Sequence, residues 1–309
     1  MLRALGLGDL LTAVPALRAL RRSLQGDRLV LAAPEPLRPL VRLSGCVDEM
    51  LPSGELEPVG WSGAPPDVAV NLHGRGPQSH RLLQRLDPRR LVAFANDEAG
   101  VTGPKWRDDE HERVRWCRLV QVSLGGAVDP DDVRIAAPAA DAGLAGAVVL
   151  HPGAAYPARR WPADRFAAVG RWAAARGLPV VVTGGPAEVE VAREVQQRAG
   201  LPSSVLLAGR TDLEQLASVV SGAALVVCGD TGVAHLASAY GTPSVLLFGP
   251  VPPEHWGPPP GPHVVLWHGR TGDPLGPRPD PGLLDITVEQ VLAQVEVSLA
   301  APRTTAASS

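Results

Sequence analysis

The sequence predicts an α/β protein of two Rossmann-like domains whose parallel sheets face each other across a cleft. Two observations carry this. Short apolar runs alternate with amphipathic stretches of about ten to fifteen residues, as strands wound by crossover helices do. The alternation also occurs twice, on either side of the Gly-, Pro-, Ala- and Asp-rich stretch 125–146. A length of 309 residues suits two medium domains. We expect them at 1–135 and 136–300, with 301–309 as a disordered tail.

In chain order, residues 2–6 read as a short strand, short enough to suggest that the strand starts earlier. Residues 10–24 place Leu10, Leu11, Val14, Leu17, Leu20 and Leu24 on one helical face. Pro15 lies inside it and predicts a kink or a later effective start. Strand 28–33, a helix near 36–44, strand 67–72, a helix to about 86, strand 90–95 and helix 109–124 complete the first half. A short strand at 133–136 is expected within the connection.

The second half restarts at "AVVLHPG" and ends with strand "HVVLW" and helix 286–300. Between them we read a helix from Pro162 to Gly177, strand "LPVVVTGG", helix 186–199 and strand "SVLLAG". A helix opened by a Thr211/Glu214 capping box, strand "ALVVCGD", helix "TGVAHLASAYG" and strand "PSVLLFG" follow. The Pro-rich 250–262 is a loop.

Composition excludes several classes. The apolar fraction is 45% and the charged fraction 20%, as in soluble globular proteins. A net charge of −3 gives no electrostatic ground for a nucleic-acid partner. Cys46, Cys117 and Cys228 are widely spaced and odd in number, so they form neither a metal spacing nor a disulfide framework, and a reducing cytoplasm is expected. No apolar run approaches the roughly 18–20 residues of a membrane span. Asp9 interrupts what would be the apolar region of a signal peptide, and that reading is rejected.

The chemistry-bearing residues cluster after strands, where open α/β sheets bind ligands. Gly6-Leu7-Gly8-Asp9 resembles a dinucleotide turn, but Leu11 stands where its third glycine would be. Asp9 reads either as a helix N-cap or as a carboxylate at the cleft that accepts a proton. Arg159 and Arg160 read as a solvated surface pair or as a diphosphate clamp. Glu188 reads as a complement to a helix dipole or as an acceptor for ribose hydroxyls. Asp230, Thr231 and Gly232 deliver a strand end to a helix N-terminus, whose free N–H groups suit phosphate. His235 follows one turn later on the same face. His73, Arg75, Gln78 and Ser79, with Lys105, Trp106, Arg107, His111 and Glu112, read as loop polarity or as a polyhydroxyl acceptor site. Within that set Trp106 is a candidate sugar platform. No carboxylate pair has metal-ligand spacing, so no catalytic metal is expected.

"GLGDLLTAVPAL", "HPGAAYPARRWPADRF", "VVVTGGPAE" and "GDTGVAHLASAYGTPSVLLFGP", in this order, resemble glycosyltransferase family 9, the bacterial heptosyltransferases. The resemblance covers about residues 2–300. It implies a GT-B fold, with acceptor on the first domain and nucleotide-sugar on the second. It implies an inverting, metal-independent transfer with no cofactor, the nucleotide-diphosphate sugar being a substrate and an ADP-sugar favoured. Asp9 is then the general base. Arg159, with Arg160 beside it, and Asp230, Thr231, Gly232 and His235 bind donor phosphate and sugar, and Glu188 contacts the ribose. Gly8, His73, Arg75, Gln78, Lys105 and Trp106 are the acceptor-side candidates. The acceptor would be a glycan or other polyhydroxyl compound; a lipid-linked one would bring the protein to a membrane surface. Ala154 and Ala155 stand where family members often carry Thr or Ser. A nucleotide-sugar epimerase of the same architecture and a non-catalytic nucleotide-sugar-binding protein are the alternatives.

Overall fold

The computed structural model describes residues 1–139 and 143–301. The expected tail, beyond Ala301, and part of the expected connection lie outside the described residues.

The first half comprises α1 (Leu7–Ser23), β1 (Val30–Ala33), α2 (Arg38–Ser44), β2 (Glu49–Pro52), β3 (Val68–Val70), α3 (Gln78–Gln84), β4 (Arg90–Val92) and α4 (Glu112–Leu124). β1 pairs with β2 and β3 with β4, both in parallel. The expected strand 2–6 is reduced to Leu2, which bridges Ala32 on one side and Asn71 on the other. Hydrogen bonds from Leu2 N to Val70 O and from Arg3 N to Ala32 O join the two pairs. The chain leaves the sheet after Arg3 because α1 already begins at Leu7. Pro15 neither delays nor ends α1. An interior proline costs roughly 3 kcal/mol. The helix buries Leu10, Leu11, Val14, Leu17 and Leu20, each worth roughly 1.5–3 kcal/mol, so burial outweighs the lost hydrogen bond.

The second half comprises β5 (Val148–His151), α5 (Ala163–Ala174), β6 (Val180–Val182), α6 (Val189–Arg198), α7 (Leu213–Gly222), β7 (Leu225–Gly229), α8 (Gly232–Tyr240), β8 (Ser244–Leu247), α9 (Pro253–Trp256), β9 (His263–Leu266), α10 (Pro281–Leu284) and α11 (Val288–Ala300). The sheet is parallel throughout, in the order β6-β5-β7-β8-β9. β5 and β7 are buried at every position, which suits their unbroken apolar runs.

Several expectations are corrected. "SVLLAG" is a 3-10 turn at Ser203–Val205 with a single bridge, Leu206 to Val182. The α7 cap is Asp212 with Gln215, one residue beyond the Thr211/Glu214 pair. Residues 133–136 form no strand; Ile135 N instead donates to Ala239 O and Ala136 N to Leu43 O, tying this segment to both halves. The Pro-rich loop contains α9, and β2 and α10 lie beyond the elements that the sequence pattern predicts. The largest buried apolar cluster runs continuously from α1 into α8 and β7, so the halves share a core.

Candidate active site

In each half the site lies where the sheet order reverses. In the second sheet β5 leads outward to β6, and the chain then crosses back to β7, so the crevice lies between the ends of β5 and β7. Arg159 sits in the loop after β5, and Asp230 and Thr231 follow β7 directly. Thr231 caps α8: its hydroxyl accepts from Val233 N at 3.5 Å, a long contact. Arg159 Nη1 lies 3.5 Å from Asp230 Oδ2. Both Arg159 Nε and Asp230 Oδ2 are buried without a hydrogen-bond partner. Burial pushes the Asp230 carboxyl up to about 6, against the pull of Arg159. An arginine N–H left unpaired beside a helix N-terminus marks a place for an anion.

The first half is arranged differently. Arg3 is 1% exposed and its guanidinium is fully engaged. Its Nε donates to Asp9 O at 2.9 Å and its Nη1 to Leu72 O at 2.5 Å. Its Nη2 donates to Asp9 Oδ1 at 3.1 Å and to Glu112 Oε1 at 2.9 Å. Glu112 also accepts from Trp116 Nε1 at 2.7 Å and from Arg115. Asp9, in the first turn of α1, is the member that reaches solvent, its side chain 30% exposed. Burial, and secondarily Glu112, raises its carboxyl above the ordinary aspartate range despite Arg3. The N-cap of α1 is Gly6, so Asp9 is not the cap residue.

The two crevices meet through glycines. A Cβ on Gly8 would lie 2.9 Å from His235 Cδ2, and one on Gly232 would lie 2.9 Å from Leu7 Cβ. The N-termini of α1 and α8 are therefore in direct contact, and only glycine fits at either position without a shift. His235 is buried, edge-on to Trp256 at 5.9 Å. Burial, then Arg113 and His111, lowers it to about 3, so it is neutral near pH 7. His111 Nε2 lies 3.0 Å from Gly257 O, a second tie between the halves.

The remaining candidates divide. His73 sits behind the Asp9 turn, where Nδ1 accepts from Ala4 N at 3.2 Å; burial, then Arg3, lowers it to about 4. Arg160 is held by its own loop, donating from Nε and Nη2 to Ala154 O at 3.0 and 2.8 Å. The Glu188 carboxylate accepts from Gly185 N at 2.7 Å, packs against Gly153 and lies 3.6 Å from His151 Nε2. Arg75 pairs with Asp108 at 3.6 Å, and Gln78 and Lys105 are exposed. Trp106 packs on Phe94 and Trp116, with the Arg115 guanidinium 4.2 Å over its ring. One face of it is thus covered.

Residues 124–272 match the family model described as glycosyltransferase family 9 (heptosyltransferase). This segment is similar to glycosyltransferase family 9. Lipooligosaccharide heptosyltransferase 2 of Haemophilus influenzae is 30% identical over 162 residues, 48% of this chain and 46% of that protein. The match thus spans less than half the length of this curated relative. Structural likeness is broader. The ADP-heptose LPS heptosyltransferase II of E. coli superposes with a TM-score of 0.79 at 20% identity, over 96% of this chain and 97% of that one. An E. coli heptosyltransferase solved with ADP gives 0.71 at 19% identity, over 96% and 98%. The fold is accordingly GT-B, that of these heptosyltransferases. No described helix is long and apolar enough to cross a membrane.

Proposed function

We propose that this protein is a family 9 glycosyltransferase, inverting and metal-independent, that moves heptose from ADP-heptose to a hydroxyl of a lipopolysaccharide-type glycan in the cytoplasm. One observation carries the reading: the Gly8–His235 and Leu7–Gly232 contacts set the helix turn that carries the Asp9 carboxylate against the N-terminus of α8, beside the unpaired Arg159 Nε. The ADP-heptose donor and LPS acceptor are taken from the names of similar proteins.

The chemistry needs one base and one stabilised leaving group. The Asp9 carboxylate takes the proton of the acceptor hydroxyl as its oxygen attacks the anomeric carbon. The bond from that carbon to the diphosphate breaks on the opposite face, so one displacement inverts the centre. ADP departs with the bonding electrons. Its charge is met by Arg159, the Thr231 hydroxyl and the free N–H groups opening α8. Asp9 and Arg159 approach from different halves, so acceptor and donor each have a side.

Incubation with ADP-heptose and a core-type glycan acceptor tests this. The expected result is ADP release matched by a gain of one heptose on the acceptor, an inverted anomeric centre by NMR coupling, and a rate unaffected by EDTA. Conversion of the donor to an epimer with no acceptor product would defeat the reading, and loss of rate in EDTA would remove its metal-independent part.

A further inference from the structure

The buried carboxylate of Glu112 lies 109 residues from Arg3 in sequence yet shares its guanidinium with Asp9. We propose that Glu112 is a positioning residue for the Asp9 base: it draws on the Arg3 charge and so leaves Asp9 oriented yet still basic. This rests on the reading of Asp9 as the base.

An arginine 3.1 Å from an aspartate holds its carboxylate ionised, typically lowering its pKa by ~1–3 units. That fixes geometry but makes a poor base, because basicity falls with pKa. Here the same Nη2 that meets Asp9 also meets Glu112, at the shorter distance of 2.9 Å. Burial pushes the Glu112 carboxyl up, but Arg3, Arg115 and the Trp116 N–H outweigh it and hold it below the ordinary glutamate range. Glu112 is therefore a fixed negative charge. Trp116 and Arg115 lock it from two sides, and the Trp116 ring also lies 4.8 Å from the Arg3 guanidinium carbon.

The other groups around Asp9 do not take this role. Thr12 lies on α1 itself, and its hydroxyl donates to Asp9 O at 3.1 Å without carrying charge. His73 after β3, His235 on α8 behind Gly8, and His111 at the start of α4 are each lowered by burial and stay neutral near pH 7. Arg113 of α4 is bound to Asp131 and Pro130 O. Arg115 is bound to Glu112 and to the carbonyls of Arg107 and Glu110. Among these described neighbours, only Arg3 and Glu112 bring unit charges onto the Asp9 carboxyl.

The test titrates the Asp9 carboxyl by carbon-detected NMR on the full chain, assigned with Asp9→Asn, alongside the pH profile of kcat/KM. In the wild-type protein the midpoint is expected above the ordinary aspartate value. In Glu112→Gln, which keeps the shape and an acceptor for Arg3, it should fall by about one unit or more. The acid limb of kcat/KM should move with it, and the plateau should drop. Arg115→Met, which removes the second guanidinium from Glu112, should move both upward. A structural role alone would lower stability and leave both midpoints in place.

The wild-type titration stands whether or not Glu112→Gln folds: a midpoint below the ordinary aspartate value, as in an isolated arginine pair, overturns the proposal. Because the titration needs no substrate, it fails separately from the transferase reading. A moved midpoint without sugar transfer by the wild-type protein supports the Glu112–Asp9 linkage and defeats that reading. An unmoved midpoint with transfer intact overturns the linkage alone.

Discussion

Two arginine–aspartate pairs stand near each other across the contact between the halves, and they are built on opposite principles. Arg3 is fully buried, and its guanidinium donates to Asp9, Glu112, Thr12 and the Leu72 carbonyl. Arg159 is half-buried, keeps Nε without a partner, and holds Asp230 only at 3.5 Å. A saturated arginine is scaffold: it fixes the carboxylate proposed as the base. An unsaturated one keeps its hydrogen-bonding capacity for something that arrives. On the proposed reading, the same residue pair serves the acceptor side as framework and the donor side as receptor.

Breaking each arginine should separate these roles. Arg3→Met strands the buried Glu112 carboxylate and the half-buried Asp9 carboxylate, and removing one partner of a buried ion pair typically costs ~3–5 kcal/mol. Chemical denaturation should show a loss of that size. Arg159→Met should cost under about 1 kcal/mol of stability, since its pairing is loose and partly exposed. It should instead weaken ADP binding by roughly ten- to hundredfold, the worth of charge-assisted hydrogen bonds to an anion; calorimetric titration with ADP reads it. Equal stability losses for the two variants would erase the distinction.

Gly8→Ala attacks the contact between the halves. Its Cβ would meet the His235 ring edge at 2.9 Å. Overpacking of this kind costs ~1–3 kcal/mol, and the low end is expected because a ring edge can shift. Thermal melting should fall slightly, while the rate falls more than ADP affinity does.

The smallest expected effect concerns Asp230, held up to about 6. Above that value it is charged and competes with a diphosphate for Arg159; below it the carboxyl is neutral. ADP affinity should therefore rise severalfold between about pH 7.5 and about pH 5.5, through removal of one nearby negative charge. Comparison with Asp230→Asn isolates this from titration of ADP itself. The same rise in that variant would rule Asp230 out as its source.

What could be read from the sequence follows from how local each cause is. Asp230, Thr231 and Gly232 announce themselves because strand end, cap and helix start are consecutive. The roles of Arg3 and Glu112 do not, since neither is informative until the fold joins α4 to the first residues of the chain. Pro15 misled because propensity is local while the burial of α1 is not. "SVLLAG" misled because apolar runs of that length also serve as packed turns, here around Leu206. Glu188 and Arg160 show the converse. Both lie where the motif pattern places them, and both are bound to backbone of their own loops.

The central claim is that Asp9 supplies the base and Arg159 with α8 supplies the donor site, each from its own half. Transfer and ADP affinity measured together on Asp9→Asn test it most directly. Transfer from ADP-heptose should fall by about 10²–10⁴-fold while the ADP dissociation constant stays within about twofold of wild type. A variant that still transfers within tenfold of the wild-type rate contradicts it.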